Sequence, residues 1–218
     1  GLPVNVHYNF DMTGIWQLDE IEEAAKWGRE PGMPKIRDIS GPDGTPDGKI
    51  DAQYDRTVIG KPIPDWTGGL YTRLQYKNID LSMSIYTEQG IMKQSKFFND
   101  LIYDSRNTVV HNYWTVNNPS NEAPSPDFLG DVYWGRKGYQ LQNFKNTSYT
   151  RLQNITLGYT LPESVVQSMN MERLRIYANV TNPLLITDFK GHDPEFGDKG
   201  ANDGPGFMTV QFGVNINF

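Results

Sequence analysis

The sequence of 218 residues contains no cysteine, which removes disulfides, zinc thiolate sites and thiol nucleophiles from consideration. It also lacks any run near the roughly 18 apolar residues that a membrane-spanning helix needs. That lack does not exclude a membrane, because a spanning β-strand is polar at every second residue and never reads as an apolar run. Basic stripes are missing as well: the net charge is −6, and no nucleic-acid partner is expected. His7, His111 and His192 have no metal-ligand spacing, and neither a phosphate-binding glycine loop nor a Ser/His/Asp set occurs. The chain opens G-L-P-V-N-V-H-Y without the basic-then-apolar pattern of a secretory leader, which leaves a cytosolic protein, a mature protein and a piece of something longer all open.

What is present is an aromatic-rich chain that is otherwise polar: 12 Tyr, 10 Phe and 5 Trp within a mean hydropathy of −0.59. Its clearest segment is Met208 to Phe218, which places Val210, Phe212, Val214, Ile216 and Phe218 on one face and Gln211, Gly213, Asn215 and Asn217 on the other. Such alternation suits a strand between lipid and a polar lumen, and equally a half-buried edge strand of a soluble sandwich. Trp66–Tyr76 and Ile79–Tyr86 alternate in the same way and are separated by Lys77 and Asn78 alone, which predicts a tight hairpin. Further strands are predicted over Ser148–Leu161 and Arg173–Asn182, joined by a short helical or turn segment from Pro162 to Glu172.

Ahead of these strands, residues up to Asp65 read as irregular apart from one short helix, capped by Asp19 with Glu22 completing a capping box and ended by Gly28. A long polar segment from Thr87 to Thr147 carries a helical pattern at Phe97, Phe98, Leu101 and Ile102, and a second polar loop runs from Pro183 to Gly206. Connections therefore alternate long and short, as in an outer-membrane barrel with brief periplasmic turns and extended outer loops. Five strands cannot close such a barrel, so the expected fold is all-β, the C-terminal strands of a larger antiparallel transmembrane β-barrel. Residues 1–66 are expected to form an extracellular loop region, and 67–218 the last five strands with their turns and loops.

Several stretches resemble the C-terminal part of the SusC/RagA family of TonB-dependent outer-membrane transporters. They are G-I-W-Q at Gly14–Gln17, D-G-K-I-D at Asp47–Asp51, D-R-T-V-I-G at Asp55–Gly60 and S-Y-T-R-L-Q-N-I-T-L-G-Y-T-L-P at Ser148–Pro162. L-R-I-Y-A-N-V-T-N at Leu174–Asn182, G-H-D-P-E at Gly191–Glu195 and the terminal Phe218 complete the set, in order along nearly the whole chain. The resemblance implies a barrel of about 22 strands filled by an N-terminal plug. It further implies a SusD-like surface lipoprotein as a lid, energy from the TonB complex, import of glycans or peptides, and contact with outer-membrane lipid. Phe218 fits the C-terminal signal read by the barrel-assembly machinery in related proteins. The plug and the TonB-contacting segment are not in this sequence.

Among candidate sites, the run from Asp38 to Asp55 places five carboxylates in eighteen residues with glycines for tight turns, and it resembles an EF-hand-type calcium loop. The expected ligands are Asp38, Asp43 or Ser40, Asp47, the Lys49 carbonyl, and Asp51 or Asp55. Residues are inserted between Asp38 and Asp47 and the terminal Glu is missing; an acidic surface turn reads the same. Trp114, Tyr133, Trp134 and Tyr139 are candidates for stacking on a sugar ring or peptide side chain, or for packing their loop on itself. Arg73, Arg173 and Arg175 fall on the polar face of their strands, where they would line a solute path or form a charge network. Asp188, Asp193 and Glu195 sit in a loop of Gly, Asp and Pro that gives paired glycosidase carboxylates no fixed geometry, so no catalytic residue is assigned and no enzyme is expected. The alternative from another class is a secreted soluble β-domain that binds carbohydrate with a calcium-stabilised loop. In that case Leu74, Leu81, Val180 and Phe212 are core; in the barrel they face lipid.

Overall fold

The computed structural model of the chain describes residues 1–2, 4–94, 112–128, 144–191, 193–196 and 206–218. The chain forms two compact units, one of Gly1–Pro62 with Gln94–Phe144, the other of Ile63–Lys93 with Lys145–Phe218. Among the described residues no helix is long and apolar enough to cross a membrane, which says nothing of crossing by strands.

The second unit is a five-stranded antiparallel sheet. Its strands are β5 (Trp66–Tyr76), β6 (Ile79–Gln89), β9 (Tyr149–Thr160), β10 (Arg173–Thr187) and β11 (Thr209–Asn217), in the order β11-β10-β9-β6-β5. Lys77 and Asn78 close the β5–β6 hairpin, with Lys77 at φ 51° supplying the left-handed turn residue that a two-residue connection requires. Register carries the alternation of each strand into continuous bands. Leu74, Leu81, Leu157, Ala178 and Phe212 pair successively across all five strands, and so do Arg73, Ser82, Thr156, Asn179 and Gln211 on the opposite face. The polar row is stitched by hydrogen bonds, Thr156 to the Asn179 side-chain carbonyl at 2.9 Å and the Asn179 amide to Gln211 at 3.3 Å.

The apolar band is exposed along the whole sheet, while the polar face is shielded at its middle strands and open at Tyr71, Arg73 and Gln211 on the outer ones. Leu70, Leu74, Ile79, Leu157, Ile176, Val210, Val214 and Phe212 are all exposed, Phe212 to 83%, whereas Asp80 on the polar face is only 6% exposed. A soluble sheet turns such a band to its own core, and no core covers it among the described residues.

β10 extends five residues beyond the predicted Asn182, to Thr187. Pro183 suggests a stop because it has no N–H to donate. The chain absorbs it in a bulge: register with β9 shifts between Thr181 and Leu184, and Asn182 adopts φ 52°. The turn from β9 to β10 contains the helix α2 (Glu163–Gln167), entered from Pro162 and anchored by the fully buried Val166. Two further strands, β7 (Met92–Gln94) and β8 (Phe144–Asn146), pair as a short ribbon.

The first unit is less irregular than its sequence suggests. β1 (His7–Phe10) pairs with β4 (Arg56–Gly60), and β2 (Met12–Ile15) with β3 (Pro34–Ile36). Strands of three to five residues are too short to show a period of two, which is why the sequence does not announce them. The helix starts earlier than predicted, as a 3-10 turn over Leu18–Glu20 that runs into α1 (Ile21–Lys26). Its capping contact is made two residues upstream: the Gln17 N–H donates to the Glu20 carboxylate at 3.1 Å, in place of the predicted Asp19 and Glu22 pair. Gly28, at φ 62°, ends it as expected. Trp16, Ala24 and Met33 form a small core flanked by Trp27 and Phe128.

Candidate functional site

The polar face of the sheet carries the chemistry. Arg175 on β10 donates from Nε and Nη2 to the two carboxylate oxygens of Asp80 on β6, at 2.8 and 2.6 Å. The two strands are separated by β9, and the side chain crosses it at Gly158, where a Cβ would lie 2.3 Å from the guanidinium. Tyr177 stacks under the guanidinium at 5.1 Å, and its own ring lies over Gly213 on the other side. Beside this pair a concave space of about 720 Å³ opens at the end of the sheet with the short connections, lined by Tyr71, Arg73, Asp80, Ser82, Arg173, Arg175 and the last strand from Val214 to Asn217. The three arginines expected on one face are thus brought to one site.

At the opposite end, Arg151 on β9 holds both oxygens of Asp193 at 2.7 and 2.8 Å, with Arg151 6% and Asp193 4% exposed. Asp193 Oδ1 also accepts the Glu195 N–H at 2.9 Å, and Lys93 donates to the Pro194 and Glu195 carbonyls at 3.3 and 2.9 Å. Gly206 packs so closely that a Cβ there would meet Asp193 at 2.7 Å. The D-P-E segment is therefore fastened to the sheet wall, with both Asp193 oxygens held by Arg151. The sequence does not identify Arg151 as its partner. The signal, an inward Arg and a distant Asp, becomes readable only once the register of β9 is known.

The acidic loop is folded by its own carboxylates. Asp55, 1% exposed, accepts the Ile39 and Ser40 N–H groups on one oxygen and the Asp51 N–H on the other, at 2.8 to 3.3 Å. Asp38 accepts Gly48 N–H at 2.7 Å, Asp47 accepts Lys49 N–H at 3.0 Å, and Asp51 accepts Gln53 and Tyr54 N–H at 2.8 and 3.0 Å. The Thr45 N–H and hydroxyl on Asp43 hold its carboxyl below the ordinary 3.8. The all-oxygen donor chemistry suits a hard cation, but the grouping does not: among the described residues no three His, Cys, Asp or Glu are gathered to hold a metal. Asp38 Oδ1 is buried without a hydrogen-bond partner among the described residues.

Trp114 packs its loop on itself. It is 5% exposed, its indole N–H donates to the Gln17 side chain at 2.9 Å, and its ring lies against Gly32, where a Cβ would be 2.6 Å away. A stacking platform needs an open ring face, which this Trp does not have. Tyr133, Trp134 and Tyr139, like His111, His192 and the pattern at Phe97, Phe98, Leu101 and Ile102, lie outside the described residues. Phe218 is 81% exposed directly after β11.

No protein-family model matches the chain. Individual proteins do. TonB-dependent receptor P3 of Formosa agariphila is 26% identical over 236 aligned positions, covering the whole chain and 22% of that protein. The TonB-dependent receptor SusC of Bacteroides thetaiotaomicron is 31% identical over 175, covering 78% of the chain and 17% of SusC. The chain belongs to the SusC/RagA family of TonB-dependent receptors. In fold it matches structures of the RagAB peptide importer in the 'open-open' and 'closed-closed' states, with TM-scores of 0.65 and 0.67, identities of 21% and 23%, and 98% of the chain covered. It spans about a fifth of the length of the curated relatives and of these receptor chains. TonB-dependent receptors are proteins of the outer membrane, and the relatives are named as receptors, not as enzymes.

Proposed function

We propose that this chain supplies the last five strands of the transmembrane β-barrel of a SusC-like receptor, with residues 1–66 as an extracellular loop region and 67–218 as barrel wall. The observation that carries this reading is the two-faced sheet, with an exposed apolar band on one face and a hydrogen-bonded polar face with a buried ion pair on the other. A barrel wall requires that arrangement, because lipid takes the place of a core and water or polypeptide fills the lumen.

In this reading the long connections lie outside the cell, the barrel-assembly machinery reads the β11 end with Phe218, and outer-membrane lipid covers Leu74, Leu81, Val180 and Phe212. The whole receptor would import glycans or peptides with TonB-derived energy and a SusD-like lipoprotein as its lid. These residues contribute wall, lumen surface and outer loops. A structural calcium ion in the 38–55 loop would draw on Asp38 Oδ1, which is buried without a hydrogen-bond partner among the described residues, and would require the loop's other carboxylates to close in around it.

The test is made on the full-length receptor. It should stay with outer membranes through carbonate and urea washing, leave them only in detergent, and change its gel mobility on boiling. Release by carbonate with no heat-dependent mobility would overturn the barrel. Uptake of peptide and glycan panels in a deletion strain complemented by this receptor would then assign the solute.

A further inference from the structure

The last strand of the sheet, β11, is shielded at one place. All nine of its residues, Thr209 to Asn217, are exposed except Gly213. Gly213 is covered by the ring of Tyr177, its direct partner on β10, and a Cβ at 213 would overlap that ring. The other residues on the same face of β11 are Thr209, Gln211, Asn215 and Asn217, and each carries a Cβ. Gly213 is thus the one seat on this strand that accepts the tyrosine.

Little else holds β11 to its alignment. The connection from Thr187 to Thr209 is too long to set register as the two-residue turn does at Lys77 and Asn78. A slip of one residue inverts the faces and is excluded by the alternation, but a slip of two leaves every face as it is. A close-packed core would reject that slip by shape. Lipid is fluid and takes Val210, Phe212, Val214 and Ile216 against any partner. On the polar face the amides and hydroxyls of β11 are neutral and re-pair after such a slip. Tyr177 does not, since Gln211 or Asn215 would then stand beneath its ring.

The ring is also braced. Asp80, Gly158, Tyr177 and Gly213 form one row across β6, β9, β10 and β11. The Arg175 guanidinium, held by both Asp80 oxygens at 2.8 and 2.6 Å, fills the space over Gly158 and lies 5.1 Å from the Tyr177 ring, which fills the space over Gly213. Swinging the ring off Gly213 drives it toward a guanidinium that is itself fixed.

We propose that Tyr177 and Gly213 are the register lock of the last strand, a seat that admits β11 in its observed alignment and rejects those displaced by two residues. This rests on the reading above that the sheet is barrel wall, where β11 must align with β10 without a core to guide it.

The test reads register directly, by disulfide formation in the full-length receptor in outer membranes, in a background otherwise free of cysteine. Thr181→Cys/Thr209→Cys reports the observed alignment, and Asn179→Cys/Thr209→Cys reports the alignment displaced by two. Direct partners lie within about 5.5 Å and diagonal ones about 7–8 Å apart, beyond an unstrained disulfide. In the wild type the first pair alone should cross-link. Tyr177→Ala should lower the ratio of the first cross-link to the second about fivefold. Gln211→Gly with Gly213→Gln brings a glycine beneath Tyr177 only after the two-residue shift, and should invert the ratio. An undiminished first cross-link in Tyr177→Ala, or no displaced cross-link in either variant for whatever reason, overturns the lock. Heat-dependent mobility of the wild type separates the two failures: with a shifting band such a result sinks the lock alone, and no shift sinks the barrel reading.

Discussion

Arg175 and Asp80 meet across an intervening strand, and they do so because residue 158 is glycine. The pair is bidentate and mostly shielded, with side-chain exposures of 16% and 8%. Removing one partner of such a pair leaves a charge that is poorly hydrated and without a counter-ion, and costs about 3 kcal/mol. Asp80→Asn and Gly158→Val are each expected to lower the temperature at which the receptor loses its folded gel mobility. The double variant Asp80→Asn/Arg175→Gln should recover part of the loss, since both charges then leave together. Additive losses in the double variant would show that the pair does not couple the strands.

Much of this sheet is legible in the amino-acid sequence alone. Each long strand has a period of two, and the Lys77–Asn78 hairpin fixes the register of the first pair, so Leu74, Leu81 and Phe212 fall on the apolar face as their sequence positions require. What is not legible depends on neighbours. The bulge at Asn182 and Pro183 lets β10 run on to Thr187, and no local signal announces it. Arg151 finds Asp193 over 42 positions, and Trp114 is buried because Gly32 makes room for its ring. Alternation along one strand specifies its faces but not what lies across from them.

The Arg151–Asp193 pair predicts a loop that is latched to the wall. Asp193→Asn removes one charge of a buried pair and frees the segment that Lys93 holds through two carbonyls. Cleavage between residues 188 and 208 by added protease should rise severalfold in intact cells, with receptor abundance unchanged. Unaltered cleavage would show that the D-P-E segment is held by other contacts.

In the acidic loop, Asp55 is the organiser, with three amide donors on one buried carboxylate. Asp55→Ala is expected to open the 38–55 loop to protease in calcium and in chelator alike, because three amides lose their acceptor. If the proposed ion is present, calcium gives the wild type further protection that Asp38→Asn abolishes. Identical wild-type digestion with calcium and with chelator would remove the ion and leave the carboxylate–amide bonds alone.

Lys35 donates to Glu20 and holds its carboxyl below the ordinary 4.5, with the Gln17 N–H adding to the effect. A carboxyl lowered on folding stabilises the fold fully above its ordinary value, and that stability is lost as pH falls through the lowered one. Both side chains are partly exposed, so the contribution is small, on the order of 0.5 kcal/mol. Amide-exchange protection over 18–28 should therefore weaken as pH drops below 4.5 in the wild type, and should lack that step in Glu20→Gln. The same step in both would assign it to another carboxylate.

The central claim is that lipid covers one face of this sheet. The direct measurement places single spin labels along the paired rows of the full-length receptor in outer membranes, at Leu81, Leu157 and Phe212 and at Ser82, Thr156 and Gln211, and compares relaxation by oxygen and by a water-soluble nickel chelate. The barrel account predicts oxygen-dominated relaxation at the first three and its loss at the second three, alternating residue by residue along each strand. Nickel access at Leu81, Leu157 and Phe212 equal to that of the polar row would contradict it.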